Sequence, residues 1–271
     1  MMENPSIRRA PFLAFYSVLV FAFIYLPIVA LILYSFNRDG VGGFPPRHLT
    51  LNWYAQLFAD SAIWDSVFNS LLVAAGSVVL SLTLGLLAAL ALDRANFPGK
   101  TLFRRLVLLP LILPGIITGL SLLMFAVLAG FQRSLTLVFF GHGTALISVA
   151  TTELFAGLQK LDRAQEEASL DLGATPWQTF WRITVPNLKL SLIAAGLLIF
   201  TLSMDEIAVT FFLIGSENTL PLEIWARLRR GITPEINAIS TLIFAVSVGL
   251  IVIWYHLRAR SLSGAQARET P

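Results

Sequence analysis

Two neighbouring carboxylates, Asp205 and Glu206, interrupt an otherwise uncharged run from Leu190 to Ser216. A carboxylate inside a bilayer is expensive and by default faces a cavity or a partner. The chemistry on offer is therefore electrostatic: a weak way-station for a cationic solute. If the helix enters the membrane near Lys189, a rise of about 1.5 Å per residue carries Asp205 about 24 Å along it, into the outer part of a core about 30 Å thick. Adjacent residues diverge by about 100° around a helix, so the two acids point to different places. A structural role competes with this one, because Ser203 and Glu206 have the spacing of a capping box that mends a break in a helix.

No other constellation supports catalysis. Gly99-Lys100-Thr101 imitates the end of a phosphate-binding loop, but Arg94 stands where that loop needs its first glycine, and no buried strand leads into it. Lys100, Arg104 and Arg105 read instead as a positive cluster beside the membrane. His48, His142 and His256 fall in different segments and no H-E-x-x-H occurs, so no shared metal site is expected. Gly141-His142-Gly143 reads as a flexible cap at the outer entrance of a span. The absence of cysteine removes disulfides, thiol catalysis and thiolate metal sites. The expectation is a chain with no catalytic residue, no metal and no cofactor, which is not an enzyme.

The elements that position these residues follow from composition. Of 271 residues, 56% are hydrophobic and 13% charged, with mean hydropathy +0.75, against about 25% charge in soluble domains. Charge-free runs extend from Ala10 to Asn37, Ser66 to Leu92 and Leu106 to Gln132, each longer than the roughly 20 residues that cross a bilayer as helix. With the later runs they predict an all-α integral membrane protein of six spans at about 12–36, 67–92, 105–130, 135–158, 188–214 and 237–257, forming one transmembrane domain. The loops are too short for a separate domain, which typically needs about 100 residues. The first apolar run imitates a secretory signal but is too long for one, and reads as a retained span.

A net charge of +3 would suggest nucleic acid in a soluble protein, but here the distribution of the bases is informative. Thirteen of the nineteen Lys and Arg lie in the termini and the second and fourth loops, which places both termini in the cytoplasm by the positive-inside rule. Trp53, Tyr54 and Trp64 suit a short helix in the outer interface. Pro110 and Pro114 predict a kink in the third span, and Gly115 with Gly119 predicts close packing within the chain.

The longest inner loop, residues 159–187, has more local structure than a connector requires. Asp162 and Gln165 resemble a capping box for a helix starting at Arg163 and stopping near Gly173, with Glu166 and Glu167 in its early turns. Thr175-Pro176-Trp177-Gln178 supplies a second cap for a helix ending before Pro186. Ala164, Ala168 and Leu172 share one face of the first helix; Trp177, Phe180, Trp181 and Thr184 share one of the second. A pair of helices lying against the chain's own membrane domain is the simplest use of such faces.

These residues also carry a family resemblance. Glu167-Ala168-Ser169, then Gly173, then Ile183-Thr184-Val185-Pro186 resembles the E-A-A-x3-G-x9-I-x-L-P loop of ABC-importer permeases, with Ser169 in place of alanine and Val185 in place of leucine. Asn69-Ser70-Leu71, Leu202-Ser203-Met204-Asp205-Glu206, Leu220-Pro221-Leu222-Glu223-Ile224-Trp225 and Pro234-Glu235-Ile236-Asn237-Ala238 extend the similarity, the later ones toward spermidine/putrescine-type permeases. The resemblance implies a bacterial inner-membrane subunit forming half of a pathway for polyamines or a related small amine-bearing solute. Its implied partners are a second, homologous permease, ABC ATPase subunits, an extracytoplasmic solute-binding protein and the lipid bilayer. It further implies that Glu167, Ala168, Ser169, Leu172, Gly173, Ala174 and Pro176 couple to the ATPase, and that Glu223, Arg227, Arg229 and Arg230 help dock the binding protein. A stand-alone secondary transporter or channel for a small cation is the alternative; it does not need the inner helix-turn-helix.

Overall fold

A computed structural model describes residues 5–39, 48–231 and 233–266; the extreme termini and residues 40–47 lie outside the described residues. Among the described residues fourteen helices follow in order: α1 (Pro5–Ser35), α2 (Asn52–Ala59), α3 (Ser61–Arg94), α4 (Lys100–Ile112), α5 (Gly115–Leu128), α6 (Leu135–Ala145), α7 (Ile147–Leu158), α8 (Arg163–Asp171), α9 (Pro176–Thr179), α10 (Val185–Asn187), α11 (Lys189–Met204), α12 (Ala208–Leu213), α13 (Leu220–Arg230) and α14 (Pro234–Gln266). A π-turn, Phe180–Thr184, joins α9 to α10. Among the described residues no strand forms, and one isolated bridge pairs Asn37 with Leu49.

Among the described residues three helical stretches are long and apolar enough to cross a membrane: Leu13–Ser35, Ser61–Arg94 and Leu135–Leu158. Two bent pairs raise the number to as many as five: α4 with α5, turned by 111°, and Pro176–Asn187 with α11, turned by 67°. Two expected spans thus differ from continuous helices. In the third, Leu113 and Pro114 are extended (ψ 134° and 137°), because proline disfavours helical backbone in the residue before it; the expected kink becomes a sharp turn. In the fifth, α11 stops at Met204 and helix resumes at Ala208. The second inner helix also departs from expectation by continuing through Pro186. Val185 N–H bonds to Phe180 O, an i→i+5 step, and this widened register precedes the proline ring that would otherwise crowd the turn.

The chain divides into two compact units, 1–61 with 226–271 and 62–225. In the first, α1 and α2 pack against α14. Tyr54 Oη lies 2.7 Å from Ser35 Oγ, and Trp53 Nε1 donates to Asn37 O at 2.9 Å. Trp53 and Tyr54 therefore lie on a short helix as expected, with their polar tips satisfied inside the chain, whereas Trp64 belongs to the first turn of the long α3. Between residues 13 and 27 the apolar side chains of α1 are exposed, as those of Phe15, Phe21 and Phe23 illustrate.

In the second unit a seam of small side chains runs along α3. Ser70, Ala74, Ser77, Ser81, Gly85 and Ala89 are buried at helical spacing. Lipid tails are as apolar as leucine, so membrane helices associate by close packing and hydrogen bonds, which small residues permit. Ser81 Oγ donates to Gly143 O at 2.7 Å, and Ser77 Oγ to Phe139 O at 3.4 Å. A Cβ added at Gly85 would stand 2.3 Å from Ala150 Cβ and 3.0 Å from Thr151 N. Gly115 and Gly119 meet Ala208 and Val209 in the same way, so the G-x-x-x-G packs within the chain.

Gly85→Leu should overpack this seam and cost about 1–3 kcal/mol, lowering the thermal aggregation midpoint of the detergent-solubilised protein. Gly249→Ala, where nothing lies within 4 Å, should leave that midpoint unchanged or raise it. Equal midpoints for Gly85→Leu and the parent would contradict the seam.

Candidate functional site

The inner helix pair is built from local caps. Asp162 Oδ1 accepts from Ala164 N–H at 3.0 Å and starts α8 at Arg163. Only half of the expected box forms there, since the Gln165 side chain turns to Asn187 instead. Thr175 and Gln178 make the full reciprocal box, with Pro176 at the first position of α9. Gly173 between them has φ +86°, the left-handed conformation that ends helices and that glycine adopts without strain. Ser169, where the resembling motif has alanine, sets its Oγ 3.0 Å from Thr179 Oγ1 and ties the first helix to the second.

The outer surface of this pair is apolar and uncovered. Glu167, Ala168, Leu172, Gly173 and Pro176 are exposed, Leu172 by 89%, while Ser169 and Ala174 are half-buried. Trp177 and Trp181 are exposed as well, their rings 5.5 Å apart and both beside Phe180. Thr184, expected on this aromatic face, is instead fully buried on the other side. An uncovered apolar cap of this kind offers a surface to a protein partner or to lipid.

Sequence reasoning missed the inward face of the pair. Asp93 and Arg94 close α3 and hold the loop through Gln159, Arg163 and Glu166. Nothing local foretold it: these two charges end an apolar span, and their partners lie 66 or more positions away.

The carboxylate segment lies in the gap between α11 and α12. The expected Ser203–Glu206 box does not form. Glu206 Oε1 accepts Val209 N–H at 2.9 Å and caps the first turn of α12, while Ser203 Oγ bonds His142 Nδ1 at 2.8 Å. His142 Nε2 lies 2.9 Å from Thr210 Oγ1, whose own proton goes to Glu206 O. With its proton on Glu206 O, the Thr210 hydroxyl is an acceptor for Nε2–H, while Nδ1 faces the Ser203 hydroxyl. His142 thus braces both sides of the gap from the buried interior of α6, and the reading of Gly141-His142-Gly143 as a flexible outer cap is corrected. The flanking glycines serve close packing: a Cβ at Gly141 would meet Leu213 at 2.4 Å, and one at Gly143 would meet Leu80 at 2.5 Å. Asp205 is exposed and Glu206 half-buried.

The four charged residues Glu223, Arg227, Arg229 and Arg230 of α13 separate into two kinds. Glu223 is buried and accepts from Asn218 Nδ2 at 2.7 Å. Arg227 reaches Asp60 at 2.7 Å and Glu235 at 3.9 Å. Arg229 and Arg230 are exposed. Among the described residues, no three His, Cys, Asp or Glu side chains gather as a metal site.

All-helical architecture, several apolar spans and an uncovered helix pair define a polytopic membrane subunit made to work with another protein. The chain belongs to the family of binding-protein-dependent transport system inner membrane components, whose model matches residues 81–262. It is similar to the putrescine transport system permease protein PotI of Escherichia coli strain K12, with 36% identity covering 96% of this chain and 95% of that one. The spermidine/putrescine transport system permease protein PotC of Haemophilus influenzae is 31% identical over 86% of this chain and 91% of its own length. In fold it resembles a chain of a bacterial ABC transporter involved in the import of the acidic polysaccharide alginate. The TM-score is 0.70 at 16% identity, covering 96% of this chain and 99% of that one. The protein is therefore an inner membrane component of a binding-protein-dependent transport system and not an enzyme; a stand-alone carrier or channel is set aside.

Gly173 has nothing within 4 Å of a prospective Cβ, so the cost of a side chain there is purely conformational. Gly173→Val should cost about 1–2 kcal/mol locally and misdirect α9, lowering uptake at an unchanged membrane level of the protein, while Gly173→Asn should be milder. Normal uptake by Gly173→Val would rule out a positional role for this turn.

Proposed function

We propose that this subunit forms half of a polyamine pathway, with putrescine or spermidine as solute, paired with a homologous permease. Similarity to putrescine and spermidine/putrescine permeases along nearly the whole chain carries the reading. Six spans place both termini in the cytoplasm, with α4, α5 and the bent α11–α12 segment counted as broken spans. The helix pair of residues 159–187 lies on the cytoplasmic side and seats Glu167, Ala168, Ser169, Leu172, Gly173, Ala174 and Pro176 in a groove of the ATPase. ATP binding to that partner then biases two access states of the pathway.

Outside, the solute-binding protein delivers the solute. Arg229 and Arg230 are available to dock it, while Glu223 and Arg227 shape that end of the chain through their internal bonds. Asp205 offers the diamine a counter-charge in the pathway. Glu206, occupied in capping α12, supports that station from behind.

Orientation is testable because the parent has no cysteine. In intact cells an impermeant thiol reagent should label Ser216→Cys, and should label Leu172→Cys only after the membrane is opened. The opposite pattern would invert the topology and remove the coupling assignment.

The way-station is tested by neutralisation. Asp205→Asn keeps shape and hydrogen-bonding reach but loses the charge, and should lower putrescine uptake about tenfold, the worth of one charge-assisted contact. Glu206→Gln keeps a carbonyl for Val209 N–H and should lower uptake less. Normal transport by both variants, at normal assembly, would leave Asp205 and Glu206 with a structural role alone.

A further inference from the structure

Two consecutive residues at the end of α3 hold both arms of the helix pair, with opposite charges. The Asp93 side chain, 4% exposed, accepts from Gln159 Nε2 at 2.6 Å and from Arg163 Nη2 at 3.0 Å. Arg94 Nη2 reaches Glu166 Oε1 at 2.5 Å, one turn further along α8. The same Glu166 oxygen accepts from the hydroxyl of Thr184, which is fully buried in the second arm. Glu166 therefore joins α8, the π-turn and α3 at one point. Its neighbour Glu167 is exposed and diverges by about 100° around the helix, so adjacent acids serve opposite faces.

The chain leads from the helix pair directly into α7 on one side and α11 on the other, but to α3 it leads only through more than sixty intervening residues. Movement of the pair reaches α3 through these side chains. The Glu166 side chain is 14% exposed, so sliding α8 without α3 breaks charge-assisted bonds and strands a largely buried carboxylate. Moving both together keeps them. We infer that the Arg94–Glu166–Thr184 joint, backed by Asp93–Arg163, positions the coupling pair on α3 and passes its displacement into the second span. This rests on the coupling reading proposed above.

The test uses the whole transporter in proteoliposomes with putrescine-loaded binding protein, and carries Leu172→Cys throughout so that cross-linking to the ATPase reports docking. Arg94→Glu and Glu166→Arg are made singly and together. Each single variant should cross-link as the parent does, yet move at least about fivefold less putrescine per ATP hydrolysed, the lower bound of ordinary inter-site coupling; the double reversal should recover much of that ratio. Arg94→Met replaces Arg94→Glu if the latter does not assemble. Parental ratios in the single variants, a loss of assembled protein without a change of ratio, or a double reversal that does not recover would each overturn the joint while leaving the coupling reading intact. Failure of the parent to cross-link would overturn the coupling reading and the joint with it.

Discussion

Close approach of backbones along α3 is the constraint on which the second unit depends. Within a bilayer no hydrophobic force draws helices together, so contact must come from packing density and from hydroxyls that reach a neighbour's carbonyl. The buried Ser77, Ser81 and Gly85 bring α6 and α7 against α3. Once those helices are seated, Val149 and Ala150 pack with Ile199, and Leu154 with Leu188, bringing α11 and the end of the inner helix pair to their places.

Broken helices become affordable in such a frame. A gap in a membrane helix frees backbone groups that lipid cannot satisfy, so it is tolerated where the protein supplies partners. Between α11 and α12 those partners are Glu206, Thr210 and His142, which bridge the gap through side chains. The turn at Pro114 lies nearby, since Gly115 meets both Ala208 and the Glu206 carboxylate. The two breaks thus meet, and Asp205 stays exposed in one of them.

The helix pair obeys the same economy with opposite consequences on its two faces. Inward, Asp93 and Arg94 find complementary charge; outward, Leu172, Trp177 and Trp181 stay exposed. The pair is thus held from within the chain on one side and left open on the other. The left-handed turn at Gly173 sets the angle between the two arms and so the shape that a partner meets.

The helix caps, the Gly173 turn, the apolar spans and the family motif were legible in the sequence, because each depends on residues within a few positions of one another. The full capping box at Thr175 and Gln178 formed as their spacing predicts. Where the sequence misled, a distant partner decided. Glu206 turned from Ser203 to Val209, and Ser203 turned to His142 more than sixty positions away. His142 looked like a loop residue between two glycines, yet those glycines exist so that α6 can press against Leu80 and Leu213. Arg94 and Glu166, 72 positions apart, carried no sign of each other. By itself the sequence determined which segments are apolar and helical and that they turn at Gly173 and Pro114, since short-range sterics and hydrogen bonding decide that; the break at 205–207 and the passage of helix through Pro186 it did not. Which charges pair, and which carboxylate is held and which left exposed, only the tertiary structure decided, because those choices depend on the neighbours that packing supplies.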